Sequence, residues 1–190
     1  MSAYNLPNTL TFIRILLVPV LVIVYYLPVD WSYLAAGVIF AVAGFTDWLD
    51  GFVARKYNMG SSLGAFLDPV ADKIMVAVSL TILVQAYADL WIAIPAMVII
   101  SREIIISALR EWMAELGKRG DVAVSYIGKV KTVSQMTAIL LLLVLEPDYG
   151  IDLVIVAYTM LYMSVAITLY SMLIYLKAAW PHLTSSSDQG

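Results

Sequence analysis

The sequence of 190 residues has no cysteine, one histidine and few charged residues. Without cysteine it can form neither a disulfide bridge nor a sulfur-ligated metal site, and it has no thiolate nucleophile. The single histidine, His182, lies in the polar C-terminal stretch HLTSSSDQG, where a solvated chain end is expected rather than a catalytic role. Any chemistry must therefore use carboxylates, amines, guanidinium groups or hydroxyls.

Charged residues make up 13% of the sequence and hydrophobic residues 62%, with a mean hydropathy of +0.89. A soluble domain is about half apolar and about a quarter charged, so this composition predicts an all-α, multi-pass membrane protein. At about 20 residues per span, the length accommodates about six transmembrane helices. We expect one domain over residues 1–180 and a polar tail over 181–190. The apolar runs predict spans near 10–27, 33–48, 70–87, 91–106, 137–145 and 151–175.

Lysine and arginine are distributed unevenly among the predicted connections. The connections around residues 28–31, 88–89 and 146–152 contain neither. The alternate connections and ends contain most of these cations: Arg14, Arg55, Lys56, Arg110, Lys118, Arg119, Lys129, Lys131 and Lys177. Because cytoplasmic loops are enriched in lysine and arginine, we expect both termini and the loops at 56–67 and 111–128 to be cytoplasmic. A cleaved signal peptide is the alternative for the first span, but no basic residue precedes Arg14, so we expect that helix to stay.

Four aspartates lie in the stretch TDWLDGFVARKYNMGSSLGAFLDPVADK, which begins at Thr46. Asp47 and Asp50 are three residues apart and Asp68 and Asp72 are four apart, so each pair shares one helix face. We expect the second helix to end near residue 56. We expect the third to begin at Asp68, because Asp-Pro is typical of an N-cap followed by proline in the first turn. One loop joins these two helix ends, so the pairs can converge near the cytoplasmic interface.

Clustered carboxylates near hydrocarbon repel one another and need cations. The local cations Arg55 and Lys73 do not balance four carboxylates, so we expect divalent metal ions. Oxygen ligands favour Mg, Mn or Ca, and paired hard cations suit in-line phosphoryl transfer. Small residues such as Gly51 and Gly64 allow a phosphate to approach the backbone, and Arg55 suits a diphosphate. A single aspartate also has a structural interpretation, as a helix cap for Asp68 or as an interfacial charge paired with Arg55 for Asp47 or Asp50.

The pattern Asp47-x2-Asp50-Gly51-x2-Ala54-Arg55-x8-Gly64-x3-Asp68-x3-Asp72 resembles, without departure, the motif of the CDP-alcohol phosphatidyltransferases. The stretches NLPNTLTFIRILLVP, GAFLDPVADK, SREIIISALREWMAELGKRG and AVSYIGKVKT are similar to those of the bacterial phosphatidylglycerophosphate synthases in that family. The resemblance covers most of the chain through about Met136. It implies a six-helix domain, usually a homodimer, with a polar cavity open to the cytoplasm and lipid between its helices.

The resemblance also implies roles for individual residues. Asp47, Asp50, Asp68 and Asp72 are expected to hold two Mg²⁺ or Mn²⁺ ions bridged by the donor diphosphate, with Asp72 as general base. Four further residues are expected to line the cytidine diphosphate pocket: Gly51, Ala54, Arg55 and Gly64. Asn8 and Thr11 are expected to border that pocket, although Asn8 by itself fits an N-cap of the first helix.

Three cations further along the chain are candidates for binding the acceptor substrate. Arg110, Lys129 and Lys131 flank the fourth and fifth predicted helices on the cytoplasmic side, where they suit a phosphate carried by the acceptor. The alternative is that they set the topology or bind anionic headgroups. Arg102 and Glu103 are expected to form an internal salt bridge. The segment 111–120 fits an interfacial amphipathic helix whose lipid-facing side chains are Trp112, Met113 and Leu116.

The activity that the resemblance implies is transfer of a phosphatidyl group from CDP-diacylglycerol to sn-glycerol 3-phosphate, giving phosphatidylglycerol phosphate and CMP. The expected setting is a bacterial inner membrane, with membrane lipids as further partners and no nucleic acid. Inositol phosphate, serine or a second phosphatidylglycerol as acceptor remain alternatives with the same aspartate motif. A divalent-cation transporter is the alternative from another class, but it would need acidic residues spread through the depth of the bundle. A noncatalytic lipid-binding or scaffold protein would need no paired metal sites.

Overall fold

The computed structural model of the protein describes residues 6–57, 62–118, 126–146 and 151–185. These residues form helices, with no strand among them. The helices are α1 (Leu6–Tyr25), α2 (Ser32–Tyr57), α3 (Ser62–Tyr87), α4 (Leu90–Glu115), α5 (Tyr126–Val144) and α6 (Ile151–Ser185). The predicted all-α architecture of about six helices is confirmed.

Within the described residues, three segments are long and apolar enough to cross a membrane: Asn8–Tyr25, Leu90–Glu115 and Asp152–Pro181. Two shorter apolar segments, Ser32–Asp47 and Val130–Val144, accompany them. Large apolar side chains face outward along the bundle, among them Leu16, Phe45, Phe66 and Leu90, each at least 60% exposed. A surface this apolar marks contact with lipid. The protein is therefore a membrane protein.

The packing brings α1 against α2 and α3, α5 against α2 and α6, and α4 against α3 and α6. Buried apolar side chains such as Leu21, Phe40, Leu83 and Ile139 fill the centre of the bundle. The approach of α2 to α5 depends on Gly37, where an added Cβ would lie 2.2 Å from Val144 Cγ2. Small residues at helix interfaces are a common device in membrane proteins, because they let backbones come close.

The ends of α4 have specific local causes. The Asp89 carboxylate accepts a hydrogen bond from the Trp91 N–H at 3.1 Å and caps the first turn. At the other end Gly117 adopts φ +70°, and the Lys118 N–H donates to the Met113 carbonyl at 2.8 Å. These caps fix both ends of α4, and so they fix the positions of its charged side chains along the bundle.

Three local expectations are wrong. α3 begins at Ser62, so Asp68 and Pro69 lie inside the helix. The proline lacks only its own N–H donation, which membrane helices tolerate. Asn8 lies within α1 and so is not its cap. Met113 does not face lipid but is fully buried against α6, in a cluster with Tyr175 and Ala179, because α4 continues as far as Glu115.

Two other expectations concern helix ends. α2 ends at Tyr57, close to the predicted residue 56. α6 continues to Ser185, past residue 180. The division into a domain over 1–180 and a tail over 181–190 stays a prediction.

Candidate active site

The predicted carboxylates meet where the C-terminal half of α2 and the N-terminal half of α3 face α1. Asp47 lies on α2, and Asp68 and Asp72 lie one turn apart on α3. The side chains of Asp47 and Asp72 are 41% and 47% exposed, so they remain accessible from outside the bundle. Three of the four aspartates predicted to form the site thus belong to one region.

A polar stripe on α1 faces these aspartates. Asn8, Thr11 and Arg14 are spaced three residues apart, so they share one helix face. Each is at most 1% exposed. Thr11 Oγ1 donates a hydrogen bond to Asp68 Oδ1 at 2.5 Å, and Arg14 Nη1 donates to Asp72 Oδ1 at 2.7 Å. The stripe therefore matches the one-turn spacing of the two aspartates on α3.

Arg14 also connects α3 to α2. Its Nη1 atom lies 2.9 Å from Asp47 Oδ1 as well as 2.7 Å from Asp72 Oδ1. The two carboxylate oxygens cannot be farther apart than the sum of these distances. One buried guanidinium nitrogen therefore holds carboxylates from two helices close together.

This role of Arg14 is not predicted from the sequence, in which Arg14 counts only as a topology-setting cation. The signal that could have found it is the three-residue spacing of Asn8, Thr11 and Arg14 in a mostly apolar helix. An ionisable residue inside an apolar span seldom faces lipid and usually marks a functional site or an ion pair. Periodicity could not identify the partners of Arg14, because Asp47 and Asp72 lie more than thirty residues away along the chain.

Several predicted site residues have side chains outside the described part of the structure. Asp50, Gly51, Ala54 and Arg55 lie in the last turns of α2, and their side chains are among these. So is that of Lys129, in the first turn of α5. Gly64 is described and is buried in α3. The roles predicted for all of these residues stay predictions.

The donor set suits a hard divalent cation. Asp47, Asp68 and Asp72 offer only carboxylate oxygens, the ligands that Mg²⁺ and Mn²⁺ prefer over softer donors. Among the described side chains, however, no group of three or more histidines, cysteines, aspartates or glutamates is placed to hold one ion. Asp50, the fourth predicted ligand, lies outside that set. The residues present fit the cation in chemistry, and their close pairing on Arg14 shows that carboxylates of two helices can share one positive partner.

A second charged cluster lies between α4, α5 and α6. Arg102 Nη1 donates to Glu103 Oε1 at 2.9 Å, which confirms the predicted salt bridge. Lys131 Nζ donates to the same oxygen, and Arg102 Nη2 donates to Ser171 Oγ at 2.8 Å. The side chains of Arg102 and Lys131 are only 8% and 7% exposed. Lys131, predicted to bind the acceptor phosphate, therefore already has an anionic partner.

Arg110 lies two helical turns beyond Arg102 on α4. Its Nη2 is 3.4 Å from the Tyr175 hydroxyl, and its Cζ lies 5.3 Å from the centre of the Tyr175 ring. Within the described part of the chain, the Nε atoms of Arg102 and Arg110 are buried and have no hydrogen-bond partner. Buried donors of this kind are uncommon, because an unmade hydrogen bond costs free energy. A guanidinium with an unused donor is suited to an anion.

A family model described as CDP-alcohol phosphatidyltransferase matches residues 4–170. The chain is similar to the CDP-diacylglycerol--glycerol-3-phosphate 3-phosphatidyltransferase of Shigella flexneri serotype 5b (strain 8401). That relative is 52% identical over 176 residues, which cover 93% of this chain and 95% of the relative. The protein of the same name from Escherichia coli (strain K12) has the same identity and coverage. The family match includes every residue predicted for the site.

Proposed function

The chain belongs to the CDP-alcohol phosphatidyltransferase family, and on that premise we propose that it transfers a phosphatidyl group from CDP-diacylglycerol to sn-glycerol 3-phosphate. The products are phosphatidylglycerol phosphate and CMP. Relatives that carry the name of this reaction match over nearly the whole chain. The structural observation that carries the proposal is the meeting of Asp47, Asp68 and Asp72 beside the buried face of α1.

The family depends on divalent cations in general. We assign the cations to Asp47, Asp50, Asp68 and Asp72, and we propose two Mg²⁺ or Mn²⁺ ions per site. When bound, such ions stabilise negative charge on phosphoryl oxygens. The carboxylates must be held together against their own repulsion, and in the structure Arg14 and Thr11 contribute to this.

In the proposed reaction the acceptor hydroxyl oxygen forms a bond to the phosphorus next to the diacylglycerol. The bond from that phosphorus to the CMP oxygen breaks, and CMP leaves with the bonding electrons. Asp72 takes the proton of the attacking hydroxyl, as a general base within reach of the acceptor. Its exposure of 47% leaves it open to a substrate. Gly51, Ala54, Arg55 and Gly64, with Asn8 and Thr11 at the border, are assigned to the cytidine diphosphate.

We assign the acceptor phosphate to Arg110, Lys129 and Lys131. The unused Nε donor of Arg110 supports this assignment, since a phosphate oxygen accepts charge-assisted hydrogen bonds from a guanidinium. Lys131 shares Glu103 with Arg102, so it would bind phosphate in competition with a carboxylate. We therefore expect Arg110 to contribute more to acceptor binding than Lys131.

The proposed setting is a bacterial inner membrane, with both termini and the active site on the cytoplasmic side. The distribution of lysine and arginine among the connections supports that orientation. We further propose a homodimer, as the family resemblance implies. Single cysteines introduced at either end of the chain, and labelled from either side of sealed vesicles, would test the orientation.

Competition among acceptors tests the proposed substrate. The purified protein would receive CDP-diacylglycerol, magnesium and a mixture of glycerol 3-phosphate, inositol phosphate, serine and phosphatidylglycerol, with lipid products identified by mass. Phosphatidylglycerol phosphate as the only new lipid is the expected result. A different product would retain the chemistry and replace the acceptor.

A further inference from the structure

We infer that Arg14 is a positioning residue: an internal counter-cation that holds Asp47 and Asp72 together when no divalent cation is bound. The inference rests on the proposed role of these aspartates as metal ligands. It goes beyond that role, because it assigns to α1 a part in keeping the carboxylates together before the metal ions bind.

The geometry carries the inference. The Arg14 side chain is 1% exposed, and one of its nitrogens lies 2.9 Å from an Asp47 oxygen and 2.7 Å from an Asp72 oxygen. An arginine that only set the topology would extend toward water instead. Here the side chain points inward from an apolar helix to two carboxylates on two other helices.

The electrostatics give Arg14 a task that no other described contact performs. Asp47 and Asp72 are anions on different helices, and without a shared cation their repulsion would separate α2 from α3 at this end of the bundle. Thr11 does not replace Arg14, since its hydroxyl donates to Asp68 and carries no charge. A guanidinium can serve two carboxylates at once because its donors have a fixed planar arrangement.

Arg14 and a divalent cation would therefore stabilise the same carboxylates. Contributions that act on the same groups are not additive, so each should matter most when the other is missing. The consequence is specific. The protein with Arg14 should stay folded without metal, and a protein without Arg14 should depend on metal for its stability.

The test measures the thermal midpoint of unfolding of the full-length protein in lipid nanodiscs under two conditions. One contains EDTA and the other about 10 mM Mg²⁺. We expect Arg14→Gln to lose about 10 °C relative to the unmodified protein in EDTA. Magnesium should close at least half of that gap. Arg102→Gln is the matched control, since it removes another buried arginine, whose described partners are Glu103 and Ser171. Its loss should be the same in both conditions.

A suppressor variant sharpens the test. Adding Asp72→Asn to Arg14→Gln removes one of the repelling anions, so the double variant should recover part of the loss in EDTA and respond less to magnesium. If Arg14→Gln cannot be purified, Arg14→Lys retains a cation with fewer donors and should show a smaller gap of the same kind. A loss that is equal in EDTA and magnesium, in whichever variant folds, would overturn the inference. So would failure of both variants to fold in magnesium.

Binding of Mn²⁺ to the unmodified protein, followed by electron paramagnetic resonance, separates this inference from the proposed function. No bound Mn²⁺ would refute the metal site itself and the inference with it. Bound Mn²⁺ together with a metal-independent loss in Arg14→Gln would refute the role of Arg14 alone.

Discussion

Glu103 is expected to stabilise the helix bundle because it is the carboxylate that two buried cations share. Its Oε1 accepts hydrogen bonds from Arg102 and Lys131, whose side chains are 8% and 7% exposed, while Glu103 itself is 25% exposed. Glu103→Gln keeps the size and one acceptor oxygen but removes the charge. Arg102 and Lys131 would then repel each other in a largely apolar setting.

The size of the effect follows from what is left unpaired. Removing one partner of a buried ion pair costs about 3–5 kcal/mol, and the remaining amide acceptor places Glu103→Gln near the lower end, at about 3 kcal/mol. For a chain of about this length, each kcal/mol shifts the Tm by about 2–4 °C, so we expect a loss of about 6–12 °C.

The assay is thermal unfolding of the purified protein in detergent or nanodiscs. Glu111→Gln is the matched control, because Glu111 is an exposed acid on the same helix and should change the Tm by no more than about 2 °C. The double variant Glu103→Gln/Lys131→Met should regain part of the lost Tm, since only one of the two cations without a carboxylate partner remains. A Tm for Glu103→Gln equal to that of the control would refute this account of the cluster.

Further predictions concern packing, metal and acceptor. Gly37→Ala should destabilise the protein by about 1–3 kcal/mol in thermal unfolding, because the new Cβ would lie 2.2 Å from Val144 Cγ2. Gly44→Ala should destabilise it less, because its Cβ would lie 3.1 Å from the flexible end of Met136. Chelation should stop CMP release and Mg²⁺ or Mn²⁺ should restore it; restoration by zinc alone would contradict the oxygen-ligand argument. Arg110→Ala should raise the KM for glycerol 3-phosphate about tenfold or more, leave that for CDP-diacylglycerol nearly unchanged, and exceed the effect of Lys131→Ala in steady-state kinetics. Equal effects on both substrates would return Arg110 to a structural role.

Local patterns predicted the parts of the fold that depend on local chemistry. Apolar runs of the right length gave the helices, and adjacent opposite charges gave the Arg102–Glu103 pair. The spacing of Asp68 and Asp72 predicted that they share one face of α3, and Asp47 on α2 lies close to Asp72 through Arg14.

The remaining features depend on contacts between distant residues. Arg14 meets Asp47 and Asp72 because α1 packs between their helices, which no periodicity in α1 specifies. Lys131 was expected to be open to a substrate, but its pairing with Glu103 depends on how α4 and α5 approach each other. The start of α3 was misplaced because Asp-Pro is a common helix beginning, whereas here the helical turns before Asp68 extend it to Ser62.

The most direct test of the central claim is CMP release from CDP-diacylglycerol and glycerol 3-phosphate, with Mg²⁺, by the unmodified protein and by Asp72→Asn. Asp152→Asn is the control, an exposed acid in the first turn of α6 outside the site. We predict release by the unmodified protein and the control, and a loss of at least about 100-fold in Asp72→Asn, since a general base contributes about that much or more. Near-normal release by folded Asp72→Asn would contradict its role as the base, and no release by the unmodified protein with any acceptor would contradict the proposed function.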